Sequence, residues 1–192
     1  MTLGLETEAP PRYGMTRVWA MPNAETFDVP PIADFLRRWH RPPSVDPFAR
    51  NSEWGTYRND LSPETTAPYH MDAVDFCESL AGDGVRAECV LFDPPYSAGQ
   101  VVMTYQRIGG PETKGHLGRF VRDGLDRLLV PGGIALSFGW NSAGVGRELG
   151  YELMEVLLVA HGGAHNDTIC VAERKSQCPS PPQPAPTWSR PG

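Results

Sequence analysis

The chain is short of cysteine, of long apolar runs and of positive charge, and each shortage removes a class of protein. Its 192 residues hold four cysteines, Cys77, Cys89, Cys170 and Cys178. None stands at paired metal-ligand spacing, so no zinc site or disulfide framework is expected. Cys77, Cys89 and Cys170 fall within apolar patterns and read as small buried hydrophobes of a reducing cytoplasm. His161 and His165 flank three small residues, but no cysteine or carboxylate cluster completes a site there, and no metal is expected. No apolar stretch approaches the roughly 20 residues that span a bilayer. The first fourteen residues carry no cationic apolar leader, which leaves a cytoplasmic location as the expectation. A formal charge of −6 argues against a protein that coats nucleic acid, though not against one that grips it locally. Two basic groups remain for such a contact, one at Arg37, Arg38, His40 and Arg41, the other spread over Arg107, Lys114, Arg119, Arg122 and Arg127. GxSxG and GxGxxG are both missing, which counts against a hydrolase or a dehydrogenase.

What is present is an apolar run that stops abruptly. Val90, Leu91 and Phe92 suit a strand buried on both faces, as in the centre of a parallel sheet, and Pro94 and Pro95 forbid its continuation. Such a strand ends at the carboxyl edge of the sheet, where open α/β sheets bind ligands, and it delivers Asp93 and Tyr96 there. The Asp93 carboxylate and the Pro94 carbonyl are adjacent acceptors, suited to the two N–H donors of an exocyclic amine. Pro94 and Pro95 stiffen the loop and add no N–H of their own. Tyr96 offers a flat face on which a heterocyclic base could stack. The same four residues also suit a plain Pro-Pro turn with a solvated Asp and a packed Tyr, so the rest of the chain must decide.

Asp93-Pro94-Pro95-Tyr96 resembles the catalytic motif of amino-group methyltransferases, above all the adenine-specific DNA methyltransferases that use S-adenosylmethionine. Ser44-Val45-Asp46-Pro47-Phe48-Ala49-Arg50-Asn51-Ser52 resembles their cofactor-binding first motif, which implies Asp46, Phe48, Ala49 and Arg50 at the cofactor. Asn59-Asp60-Leu61 is similar to the end of the second strand, whose acid binds the ribose hydroxyls. His70-Met71-Asp72-Ala73 resembles the third motif, placing Asp72 and Ala73 at the cofactor's adenine. The resemblance also puts Asp93 beside the cofactor and makes Phe27, ahead of the first helix, a candidate cofactor contact; a core position suits Phe27 equally. It covers residues 17–175. The glycines of the first motif are absent, so Arg50 either pairs with the cofactor's carboxylate in a differently shaped turn or is a surface side chain.

The implied fold is α/β, a Rossmann-like class I S-adenosylmethionine methyltransferase with a mostly parallel seven-stranded sheet and a C-terminal antiparallel hairpin. One domain at 17–175 stands between a flexible tail at 1–16 and a proline-rich, disordered tail at 176–192. Ile32, Phe35, Leu36 and Trp39 recur at helical spacing behind Pro30 and Pro31, which suit a first turn. Strands are expected at 44–48, 55–60, 69–71, before Asp93, at 134–139 after a Pro131-Gly132-Gly133 turn, at 151–160 and at 167–173. Helices are expected at 73–80 and 120–129, with a long loop at 97–115 that carries Tyr105. If the sixth strand is parallel to the fourth, Trp140, Asn141, His161, His165 and Asn166 share an edge with Asp93 and are candidates to read the target base or its backbone. Asn166 and Asp167 equally suit caps of the turn.

Methyl transfer from a sulfonium is an in-line displacement that needs no metal, only positioning and an amine made more nucleophilic. The expected substrate is the N6 amine of adenine in DNA, flipped out of the duplex with Tyr96 replacing its lost stacking. N4 of cytosine, RNA, a protein amide, or an inert methyltransferase-like binding subunit are the alternatives. No insertion is large enough for a separate target-recognition region, so a short or relaxed site is expected. A solitary enzyme of the kind phages and mobile elements carry fits better than half of a restriction-modification pair. The oligomeric state is left open by the sequence.

Overall fold

A computed structural model describes residues 13–95, 117–146, 149–163 and 165–177. Seven strands, β1 (Gly14–Trp19), β2 (Ser44–Asp46), β3 (Tyr57–Arg58), β4 (Ala87–Phe92), β5 (Leu129–Gly139), β6 (Glu152–Ala160) and β7 (Thr168–Arg174), form one sheet in the order β1-β6-β7-β5-β4-β2-β3. Among the described residues, three α-helices flank it: α1 (Pro30–Trp39), α2 (Ala73–Gly82) and α3 (Leu117–Leu128).

The sheet is mixed, which corrects the expectation of a mostly parallel sheet ending in a hairpin. β3, β2, β4 and β5 are parallel, and β1 is parallel to β6. β7 runs antiparallel to both β5 and β6. It is inserted between them, so that both of its edges are hydrogen-bonded, and β1 occupies the margin instead. β1 is not among the strands read from the sequence, because its partner β6 lies some 140 residues away.

Other departures have local causes. β2 stops at Asp46, two residues short of the expected end, because Pro47 lacks the N–H to continue a ladder. β3 is two residues long, and the strand expected at 69–71 is reduced to a parallel bridge between Asn59 and Tyr69. β5 begins at Leu129, ahead of Pro131, Gly132 and Gly133. They sit within its span as an irregularity where the register with β4 shifts and Gly132 adopts φ +82°.

Two apolar layers explain why β4 reads as an unbroken apolar run. Cys89 and Leu91 face Phe27, Ile32, Phe35 and Leu36, on α1 and the short turn before it. Val90 and Phe92 face Phe76, Cys77 and Leu80 of α2, with Val121, Leu125 and Leu128 of α3. α1 starts on the prolines expected there and is fixed to β6 through Glu155, which accepts from Trp39 Nε1 and from Arg38, both at 2.6 Å. α2 and α3 approach closely at Gly124, where an added Cβ would lie 2.7 Å from Cys77 Cβ.

Candidate active site

The carboxyl ends of β2, β3 and β4 meet along one edge, and each end is shaped by a different device. At β2, Asp46 is fully buried; its Oδ1 accepts the Phe48 N–H at 3.1 Å, while Oδ2 is buried with no hydrogen-bond partner. Gly55 lies against it, where an added Cβ would come within 2.9 Å of Asp46 Cβ. Burial pushes the Asp46 carboxyl up to about 8. The Phe48 N–H opposes that rise, and the charges of Asp93 and Asp60 add to it.

Asn59, at the end of β3, is the site residue that sequence reasoning missed. Its backbone accepts from Ala49 N–H and donates to the Asp46 carbonyl, while its side chain donates to the Pro47 and Met71 carbonyls and accepts from the Met71 N–H. One buried amide therefore clips the turn after β2 to the segment before α2. Its only signal was an amide beside Asp60 at a strand end. Asp60 itself accepts the Ser62 N–H at 2.8 Å, and Asp72 caps α2 by accepting the Val74 N–H at 2.8 Å, with Ala73 buried behind it.

Arg50 answers the question raised by the missing glycines. It takes φ +50°, the left-handed conformation that a glycine would adopt freely, so the turn has a glycine-like shape with a long side chain attached. The guanidinium donates to the Ala24 carbonyl at 2.6 Å and pairs with Glu25 at 3.5 Å.

Two cavities adjoin the end of β4. The larger, about 520 Å³, is lined by Asp93, Phe27, Phe48, Ala49, Arg50 and Trp54, with His40, Glu25, Asp28 and Glu53 also on its wall. Burial pushes the His40 imidazole below its ordinary range, with Arg41 adding to the effect, and His40 Nε2 lies 2.8 Å from Ser44 Oγ. The smaller, about 200 Å³, is lined by Pro94, Pro95, Phe92, Ser137, Trp140 and Asn141. Asp93 thus opens to one cavity and the two prolines to the other. Asp46, Asp60, Asp72 and Ala73 line neither.

Tyr96 and Tyr105 lie outside the described residues, as does the loop expected at 97–115. β6 is parallel to β4 through its antiparallel pairing with β7, so the 161–167 connection is on the Asp93 edge. It is nevertheless three strands from β4, about 14 Å at the usual spacing of roughly 4.8 Å. His165 and Asn166 are exposed there. His161 is buried, with Nδ1 2.8 Å from the Ala20 carbonyl and Nε2 2.9 Å from Thr168 Oγ1. Among the described residues there is no group of side chains that could hold a metal, and no helix is long and apolar enough to cross a membrane.

The chain has an α/β layer fold with a seven-stranded mixed sheet, and its two cavities lie at the carboxyl end of a parallel strand, the edge at which open α/β sheets bind ligands. The crystal structure of TrmN from Thermus thermophilus is similar over 77% of this chain, with a TM-score of 0.51 and 20% identity. The chain spans about half of that protein, 49% of its length. No family model and no curated protein matches the sequence.

Proposed function

We propose that the chain is an S-adenosylmethionine-dependent methyltransferase acting on the exocyclic N6 amine of adenine in DNA. The observation that carries this reading is the placement of Asp93-Pro94-Pro95 between two cavities; the reading assigns the larger to the methyl donor and the smaller to a planar acceptor. The donor set of the larger cavity fits the cofactor. Glu25, Asp28, Glu53 and Asp93 outnumber Arg50 and suit a ligand bearing a sulfonium and an ammonium, and Phe27, Phe48 and Trp54 offer apolar faces. When bound, S-adenosylmethionine supplies a methyl group activated by its sulfonium.

The chain's own residues prepare the acceptor. Adenine N6 is a poor nucleophile because its lone pair is delocalised into the ring. The Asp93 carboxylate and the Pro94 carbonyl accept its two N–H groups and draw the nitrogen toward a tetrahedral geometry, and one proton leaves through Asp93 as the N–C bond forms. Pro95 and Trp140 flank the base, Asn141 is within its cavity, and Tyr96 is the expected stacking partner.

The test is incubation with labelled S-adenosylmethionine and unmethylated DNA, in single-stranded and in duplex form, followed by mass spectrometry of the digested nucleosides. N6-methyladenine that vanishes in Asp93→Ala is the expected result. Transfer that persists in Asp93→Ala removes the assigned role. RNA is the second reading, favoured by the likeness to a tRNA methyltransferase; methylated nucleosides from RNA and none from DNA would establish it.

A further inference from the structure

The strand that the sequence did not reveal carries an exposed aromatic ring to the same edge as the candidate site. β1 runs parallel to β6, with Trp19 in register with Ala160 at the carboxyl end. Trp19 is 66% exposed, and Trp140, at the end of β5, is 46% exposed. Single exposed apolar side chains are ordinary. Trp19 differs in how firmly its setting is fixed. Its indole lies against Gly162, where an added Cβ would stand 3.2 Å from Nε1. The next residue, Ala20, donates its N–H to the Ala160 carbonyl at 3.1 Å and offers its own carbonyl to the buried His161 ring. His161 is in turn fixed through Thr168 and, by its backbone N–H, Asp167. A buried, fully used histidine therefore ties down the backbone beside a ring that faces solvent.

The strand order places β1 and β5 three strands apart on this edge. That is about 14 Å, or roughly four steps of a stacked strand at about 3.4 Å each. Trp140 itself lines the cavity at Pro94 and Pro95. Arg17, on the same face of β1 as Trp19, and His165, on the connection that Trp19 touches, are both exposed and can meet phosphates.

We propose that Trp19 and Trp140 form a stacking path for an unpaired nucleic-acid strand, which makes single-stranded nucleic acid, rather than intact duplex, the preferred substrate of this edge. The indole faces need base faces, and a duplex offers only groove edges and phosphates. Continuity with the acceptor cavity and the cationic neighbour Arg17 favour a nucleic acid over a protein surface. The proposal rests on the reading of the site as a base methyltransferase, but its test is separable from catalysis.

The experiment is fluorescence anisotropy of labelled single-stranded and duplex oligonucleotides of the same sequence with the full chain, its Trp19→Ala and Trp19→Phe variants, and Trp140→Ala. Cofactor affinity by calorimetry and the thermal midpoint serve as controls for folding. The single strand should bind more tightly than the duplex. Trp19→Ala should weaken it by roughly 5- to 150-fold, the range for one base stacked on an aromatic ring, while Trp19→Phe recovers most of the loss. Cofactor affinity and thermal midpoint should stay unchanged. Equal affinity of the wild type and Trp19→Ala for single strands overturns the path. Self-association that Trp19→Ala abolishes, without any change in oligonucleotide binding, overturns it too and assigns the surface to a second copy. A Trp19-dependent single-strand affinity in a protein that methylates no nucleoside supports the path while removing the methyltransferase reading.

Discussion

Two buried carboxylates, at opposite edges of the same sheet, meet their surroundings differently. Glu173, near the end of β7, lies 3% exposed, and its Oε2 accepts the N–H groups of Val145 at 2.6 Å and Gly146 at 3.1 Å. It holds the segment that follows β5, and Gly144 approaches so closely that an added Cβ would lie 2.2 Å from Oε2. Asp46, at the carboxyl edge, is buried to the same degree, yet one oxygen has no partner. Burial raises both carboxyls, and backbone N–H groups oppose the rise in both. Glu173 is committed to the fold, whereas Asp46, which lines neither cavity, keeps one carboxylate oxygen unused in the buried turn after β2.

Truncating the committed carboxylate should have the largest effect. Glu173→Ala leaves two N–H groups buried without an acceptor, and unfolding in urea should show a loss of about 2–6 kcal/mol, at roughly 1–3 kcal/mol for each orphaned group. A loss below about 1 kcal/mol would erase the distinction between the two sites.

Asp46→Asn should do the opposite for stability and be read against pH. The Asp46 pKa is about 8 in the folded protein against an ordinary 3.8, so the folded state holds a proton that the unfolded state has released. That contribution is fully present below about pH 4 and is lost as pH rises through 8. The wild type should therefore lose stability relative to Asp46→Asn across that window, while cofactor affinity of the variant falls. Parallel stability curves for the two proteins would show that Asp46 ionises in the folded state as it does when unfolded.

Asp60→Ala should have the smallest structural effect, because its carboxylate is half-buried and accepts only the Ser62 N–H. Stability should change by about 1 kcal/mol or less, while calorimetry should show cofactor affinity reduced about tenfold, the equivalent of roughly 1.4 kcal/mol. Full affinity would remove the ribose-binding role that the motif resemblance implies for Asp60.

Segments whose neighbours in space are also neighbours in sequence were the legible ones. Ile32, Phe35, Leu36 and Trp39 marked α1 because their spacing is itself the contact pattern of a helix face. Val90, Leu91 and Phe92 marked a central strand because both faces of β4 are covered, and Pro94 fixed where it ends. Asn59 was illegible because its role depends on carbonyls brought from Pro47 and Met71, twelve residues away on either side. The left-handed turn at Arg50 was hidden for a related reason: an arginine does not announce a positive φ, and the contacts that hold it come from Ala24 and Glu25.

The sequence by itself determined the α/β class, the start of α1 at its prolines, and the delivery of Asp93, Pro94 and Pro95 to a strand terminus, because each follows from backbone sterics and local periodicity. Only the tertiary structure decided that β7 lies between β5 and β6, that β1 joins the far margin and that Trp19 shares an edge with Asp93. Those facts depend on which strand edges find partners across the whole chain, and hydrogen-bonding groups at a strand edge are alike whatever side chains they carry.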